Sequence, residues 1–172
     1  MLDMELYFDD ISISSVNNRD IDNLEIWMRE QIDESFKNSW MNIDEIRERF
    51  VEYYISENEI FLKILRENKI LGIFKGRAEF NPNGELVIWC YIIDRQYRNK
   101  GIGSKVLGEI IKYLYSSLGI KNCLAGVVDG SREAFNFWNK NEFMFSRVSK
   151  NFFEDGNIKK DMIILKRNEI LG

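Results

Sequence analysis

Arg98-Asn99-Lys100-Gly101-Ile102-Gly103-Ser104 is the stretch whose residue types and spacing point most directly to chemistry. Two glycines one residue apart let a ligand approach the main chain, because no Cβ stands in the way. An apolar run, Leu86 to Ile93, precedes the stretch, and an amphipathic segment, Lys105 to Leu118, follows it. That order predicts strand, glycine turn, helix. A helix starting there turns unpaired N–H groups and a partial positive charge back on the turn, which suits a phosphate. Arg98, Lys100 and Lys105 add formal positive charge. The same spacing also serves an ordinary tight strand-to-helix turn.

What is missing narrows the chemistry further. The chain has no histidine, so Ser-His-Asp and Cys-His sites are excluded, as is a His-ligated metal. No metal site is expected. Cys90 and Cys123 stand inside apolar, strand-like runs and are expected to be buried thiols rather than a disulfide.

The elements that must position the glycine turn follow from periodicity. Ile11 to Val16 alternates apolar and polar, which predicts a first strand. Ile21, Leu24, Trp27 and Met28 fall at helical spacing and predict a helix over about Asp20 to Gln31. Asp33 to Asn42 reads as a loop anchored by Phe36, Trp40 and Met41, and a second helix runs to about Ser56. Ile60 to Leu65, Ile70 to Phe80 and Leu86 to Ile93 read as three antiparallel strands, with Gly72 and Gly76 marking bulges or close backbone approach. Asn81-Pro82-Asn83-Gly84 is a turn. The helix Lys105 to Leu118 stops at Gly119 and feeds a buried strand, Lys121 to Val128, which predicts a right-handed parallel crossover. A last helix begins at Asp129-Gly130-Ser131, and strands Phe143 to Val148 and Met162 to Lys166 close a hairpin.

The spacing Arg98-x-x-Gly101-x-Gly103 and this order of elements resemble the GNAT (acyl-coenzyme A N-acyltransferase) superfamily over about Ile11 to Arg167. Ser131 to Phe143 is similar to the family's second cofactor-contacting helix. The resemblance implies an α/β fold of α+β type. Its mixed, mostly antiparallel sheet would have about seven strands with a splayed parallel pair, flanked by about four helices, in one domain spanning residues 1–172. It also implies acetyl-coenzyme A as co-substrate. The pyrophosphate would lie on Arg98, Asn99, Lys100, Gly101, Ile102, Gly103 and Ser104. The pantetheine arm would lie along Ile92, Ile93 and Asp94, with Ser131 and Trp138 as further contacts. Backbone pairing suits pantetheine because its two amides mimic a peptide strand.

Three positions depart from the family pattern. Ser131 stands where asparagine is frequent, Arg95 where proline is frequent, and Trp138 where many members place a tyrosine that donates a proton to the leaving thiolate. An indole N–H donates hydrogen bonds but does not titrate usefully, so Trp138 is expected to pack against the cofactor arm or to orient the sulfur. Candidate bases for the attacking amine are Asp94, at the strand end, and Glu79, with Glu85 across the turn. Asp94 is equally suited to pairing with Arg95 or Arg98, or to capping the loop. Trp89, Tyr91, Tyr53 and Tyr54 are candidates for the acceptor pocket or for the core.

The expected activity is transfer of an acetyl group to a primary amine in a ternary complex, without an acyl-enzyme. A non-catalytic acyl-coenzyme A-binding module or sensor is the alternative. The net charge of −4 divides unevenly, −11 over residues 1–60 and +7 over 61–172. The acidic part would draw a cation such as a polyamine or aminoglycoside; a protein amine is the other acceptor class. That acidic part would repel nucleic acid. Met1 to Asp10 carries four acids and no base, unlike a signal peptide, and no long uncharged apolar run is present. A cytoplasmic protein off the membrane, monomer or homodimer, is the expectation.

Overall fold

The computed structural model describes residues 1–31, 43–80, 82, 84–155 and 158–168. In chain order the elements are β1 (Glu5–Phe8), β2 (Ile11–Ser15), α1 (Ile21–Gln31), α2 (Ile43–Ile55), β3 (Glu59–Arg66), β4 (Lys69–Glu79) and β5 (Glu85–Ile93). They continue as α3 (Ile102–Leu118), β6 (Asn122–Val128), α4 (Arg132–Lys140), β7 (Met144–Asp155) and β8 (Ile158–Asn168). The strands form one mixed sheet in the order β1-β2-β3-β4-β5-β6-β8-β7. Its β5–β6 pair is parallel, and the other registered pairs are antiparallel. The predicted fold class holds, with eight strands in place of about seven.

Contacts group the chain into two compact units, Met1–Arg77 with Trp89–Lys100, and Ala78–Ile88 with Gly101–Gly172. In the first, α1 buries the stripe Ile21, Leu24, Trp27, Met28 and Gln31. Its apolar members share a core with Ile46 and Phe50 of α2, Phe61 of β3, Ile73 of β4 and Ile92 of β5. Arg47 of α2 hydrogen-bonds Asp22 and Glu25 of α1, tying the two helices on their exposed side. In the second unit, α3 buries Val106, Leu107, Ile110, Ile111 and Leu114, a stripe at helical period. Cys123, Ala125 and Val127 alternate inward along β6.

Three sequence expectations are corrected. An extra strand, β1, precedes the one predicted at Ile11 and pairs with it from Glu5–Ser14 to Phe8–Ile11. It is short and mostly exposed, so its alternation carries little apolar signal. The helix predicted from Lys105 starts at Ile102, inside the glycine motif. The closing strands are longer than predicted, because β7 carries register shifts at Phe145/Arg147 and Ser149/Phe153. Asn151 takes a φ of 51° in the second shift, and a bulge of this kind breaks the two-residue alternation that marks a strand. The predicted loop Asp33 to Asn42, with Phe36, Trp40 and Met41, lies outside the described residues.

Gly72 meets the expectation of close backbone approach. A Cβ there would stand 2.5 Å from the Ile92 carbonyl oxygen and 2.9 Å from Ile93 Cδ1. Among the described residues no helix is long and apolar enough to cross a membrane.

Candidate cofactor and active site

The glycine motif is assembled from the end of β5 onward. Asp94 follows the strand with its N–H donating to the Leu71 carbonyl at 2.8 Å. It caps a 3-10 turn over Arg95–Tyr97 through Oδ1, which accepts from Gln96 N–H at 2.8 Å. Asp94 Oδ2 accepts from the Trp27 indole N–H and from Gln31 Nε2, both at 3.3 Å. Arg98 Nε donates to the Ile93 carbonyl at 2.8 Å, folding the first loop arginine back on the strand end. Lys100 Nζ donates to the Gln96 carbonyl at 2.8 Å and lies 5.8 Å from the centre of the Tyr97 ring.

Asn99 and Gly101 have φ of 59° and 80°, left-handed values that asparagine and glycine adopt more readily than other residues. Gly101 is the N-cap of α3 and brings no side-chain cap. The first N–H groups of a helix have no intrahelical acceptor. Here Ile102, Gly103 and Ser104 form the first turn, at the positive end of a 17-residue helix. A Cβ on Gly101 would meet nothing within 4 Å. The glycine is therefore required by backbone conformation and not by crowding.

Registered pairing of β5 with β6 runs from Glu85–Asn122 to Ile88–Ala125. Both strands go further, β5 to Ile93 and β6 to Val128. Past β6, Gly130 has a φ of 90° and Ser131 is the N-cap of α4 without a side-chain cap bond. A cavity of about 290 Å³ is lined there by Val127, Val128, Gly130, Ser131, Arg132 and Phe135, among others.

The proposed cofactor residues therefore fall into two sets. Ile92, Ile93, Asp94, Arg98, Asn99 and Lys100 belong to the first compact unit; Gly101, Ile102, Gly103, Ser104, Ser131 and Trp138 belong to the second. Trp138 is buried, with its ring 5.3 Å from Phe137 and 4.7 Å from Phe143, both edge-on. That packing agrees with an aromatic filler role. Glu79 is exposed at the end of β4, and Glu85 is half-buried at the start of β5. Tyr53 is buried, while Tyr54 and Trp89 are exposed.

Two polar clusters in the first unit escape the sequence reading. Gln31 joins Trp27 on Asp94, as above. Lys75 of β4 is 7% exposed and donates to Glu59 Oε2 at 3.3 Å, with its ammonium 3.9 Å from the centre of the Tyr53 ring. Burial lowers the Lys75 pKa, and Glu59 partly restores it. The available signal was a charge or amide set on an apolar stripe. Lys75 continues the Leu71-Ile73 face of β4, and Gln31 continues the Leu24-Met28 face of α1.

Cys90 and Cys123 are thiols, not a disulfide; Cys123 is buried as expected, whereas Cys90 is only half-buried. Burial pushes both up to about 12; Lys75 draws Cys90 back only in part, as Tyr115 and Arg167 do Cys123. The thiolate is the reactive form, so at pH 8 both are expected to react with a thiol reagent roughly 10³-fold more slowly than free cysteine. Chromogenic thiol titration before and after unfolding measures this. Fast labelling of the native protein would contradict the burial, and an acyl-cysteine route has no support in these thiols. Among the described residues no group of three or more His, Cys, Asp or Glu side chains is placed to hold a metal.

Comparison with known proteins bears on the same features. The acetyltransferase (GNAT) domain family matches residues 13–164. The spermine/spermidine N(1)-acetyltransferase of Bacillus subtilis (strain 168) is 27% identical over 75 residues, 44% of this chain and 49% of that protein. The chain spans about half the length of the curated relatives it matches. Spermidine N-acetyltransferase from Vibrio cholerae, solved with CoA and spermine, has a TM-score of 0.76 at 12% identity, covering 92% of this chain and 95% of that one. Ribosomal-protein-S5-alanine acetyltransferase from Vibrio fischeri has a TM-score of 0.76 at 14% identity, covering 96% and 97%. At such identities the likeness is one of fold. The family match covers most of the chain and takes in β5, the glycine motif and α4, and by it this protein belongs to the GNAT acetyltransferases, a family whose members use acetyl-coenzyme A.

Proposed function

We propose that this protein transfers an acetyl group from acetyl-coenzyme A to a primary amine, with a polyamine as the acceptor. The observation that carries the cofactor reading is the left-handed Gly101 at the start of α3, one short loop after the strand β5 that outruns its registered pairing with β6. The residues present fit the group. The positive end of the α3 dipole, where Gly101 brings no side chain between backbone and ligand, suits a pyrophosphate. The strand end at Ile92, Ile93 and Asp94 suits the two amides of a pantetheine arm. The cavity past β6 is lined by Ser131 and Arg132 together with Asp129.

Acetyl-coenzyme A supplies the thioester; the chain supplies position and proton traffic. Asp94 already accepts three hydrogen bonds, so its part is to hold the strand end and the loop. Glu79, solvent-exposed at the end of β4, and Glu85, half-buried at the start of β5, are the remaining candidates for taking the amine's proton. Trp138 donates a hydrogen bond at most. A thiol-like leaving group, with a pKa of ~8.5, departs near neutral pH without a general acid. The polyamine reading is supported by the likeness to the Bacillus spermine/spermidine N(1)-acetyltransferase and by the net −11 of residues 1–60.

Saturating acetyl-coenzyme A is expected to raise the melting temperature by about 5 °C or more, since a ligand of the native state stabilises it by about 2.7 kcal/mol at 100 times Kd. Spermine or spermidine is then expected to accelerate thiol release. An unshifted melting curve would sink the cofactor reading. Release with other amines but not polyamines would move the acceptor class. A thermal shift without release on any amine would favour the acyl-coenzyme A-binding module, the reading motivated by Trp138.

A further inference from the structure

We infer that Gln31 is a positioning residue for the cofactor loop, setting coenzyme A affinity through Asp94 and Arg95 without touching the ligand. The inference rests on the coenzyme A reading above and names a device that serves it. Gln31 is the last residue of α1 and is 6% exposed. Its carboxamide faces two adjacent residues at the end of β5. Oε1 accepts from the Arg95 N–H at 2.9 Å, and Nε2 donates to Asp94 Oδ2 at 3.3 Å. Its own backbone carbonyl accepts from Arg95 Nε at 3.2 Å.

A carboxamide meets this demand at every pH, whereas a carboxyl meets it only when protonated. The Arg95 N–H needs an acceptor, and the Asp94 carboxylate needs a donor, one residue apart. A flipped amide would set donor against donor and acceptor against acceptor. Trp27, one turn earlier on the same face, donates to the same Asp94 oxygen at 3.3 Å. The step Asp94–Arg95 is therefore pinned from α1 on both sides. It starts the 3-10 turn whose carbonyls hold Arg98 N–H and Lys100 Nζ. A hydrogen-bonding residue buried on an apolar stripe has an alternative, leucine or methionine, that would pack as well. Its presence indicates a need for the bonds. Among the described residues, the charged groups bonded to Gln31 are Asp94 and Arg95.

The test uses Gln31→Glu and Gln31→Met, with coenzyme A binding followed by calorimetry at 15 °C from pH 5.5 to 8. Folding of each variant is checked by circular dichroism. Affinities are expressed relative to the unaltered protein at each pH, which cancels titration of the ligand. Gln31→Met is expected to bind roughly 10-fold more weakly at every pH. Gln31→Glu at pH 8 sets a second carboxylate against Asp94 and is expected to lose at least as much. As pH falls, a proton shared by the two carboxyls restores the donor to Asp94 while the other oxygen still accepts from Arg95. Its affinity is therefore expected to return to within about 3-fold of the unaltered protein at pH 5.5. A residue that serves only folding would shift the melting temperature and leave this ratio flat. A flat Gln31→Glu ratio, or Gln31→Met binding at full affinity, overturns the inference. If the unaltered protein binds no coenzyme A, the cofactor reading itself fails, and the inference fails with it.

Discussion

Gly101→Val is expected to weaken coenzyme A binding at least ~100-fold, about 2.7 kcal/mol, in a protein that still folds. Gly101 sits at φ 80°, ψ −12° as the N-cap of α3. Left-handed backbone costs an ordinary L-residue about 1–2 kcal/mol, and a β-branched one more. The space around the missing Cβ is open, with nothing within 4 Å, so the fold itself has no clash to resolve. The chain would relieve the strain by rotating Gly101 out of the left-handed region. That motion re-aims the N–H groups of Ile102, Gly103 and Ser104, which are the proposed pyrophosphate ligands. Gly101→Asn is the control, because asparagine tolerates this conformation, and it is expected to lose far less. Circular dichroism establishes folding and calorimetry the affinity. Valine at this position with affinity within 3-fold of the unaltered protein would remove the turn from the cofactor site.

Gly84→Ala is expected to destabilise the protein by about 3 kcal/mol or more. Its φ is 57°, and a Cβ would stand 2.3 Å from the Gly119 carbonyl oxygen. The obstacle is backbone and cannot swing aside. Gly84 also accepts from the N–H groups of Lys121 at 2.6 Å and Asn122 at 3.2 Å. Pushing the two segments apart therefore breaks the bonds that join the start of β5 to the start of β6. For a chain of this length the melting temperature should fall by roughly 6–12 °C. Gly119→Ala is the matched control. Gly119 has a φ of 65° but nothing within 4 Å of its missing Cβ, so only the conformational cost of about 1 kcal/mol applies. Equal losses for the two variants would show that the close approach contributes nothing.

How far the sequence reaches depends on the range of each interaction. The strand–glycine–helix unit is local. An apolar run, a glycine that must turn left-handed and an apolar stripe at helical period all lie within Leu86 to Leu118, and each is set by neighbours along the chain. The same holds for the β5–α3–β6 crossover, since a helix between two buried strands leads to a parallel pair. Edges were harder. β1 is too short and too exposed to show a period, and the shifts in β7 hide its true length behind Asn151. The start of α3 was misplaced because glycine reads as a helix breaker, whereas Gly103 stands in its first turn.

The side chains around the strand end divide the same way. Asp94 was legible as a carboxylate in the right place, a possible base or a possible cap. Its commitment to Gln96, Trp27 and Gln31 was not, because two of those partners lie 67 and 63 residues away in the chain. Lys75 and Glu59 likewise meet only when β3 and β4 pair. The sequence by itself determined the family, the order of the sheet's main elements and the glycine turn between β5 and α3, because those depend on residue type and local period. Only the tertiary structure decided that Gln31 and Trp27 hold Asp94, that Lys75 is buried on Glu59 and Tyr53, and that Gly84 abuts Gly119. A buried hydrogen bond or backbone contact between distant segments is specified by where folding brings them, and it leaves no periodic trace in either segment.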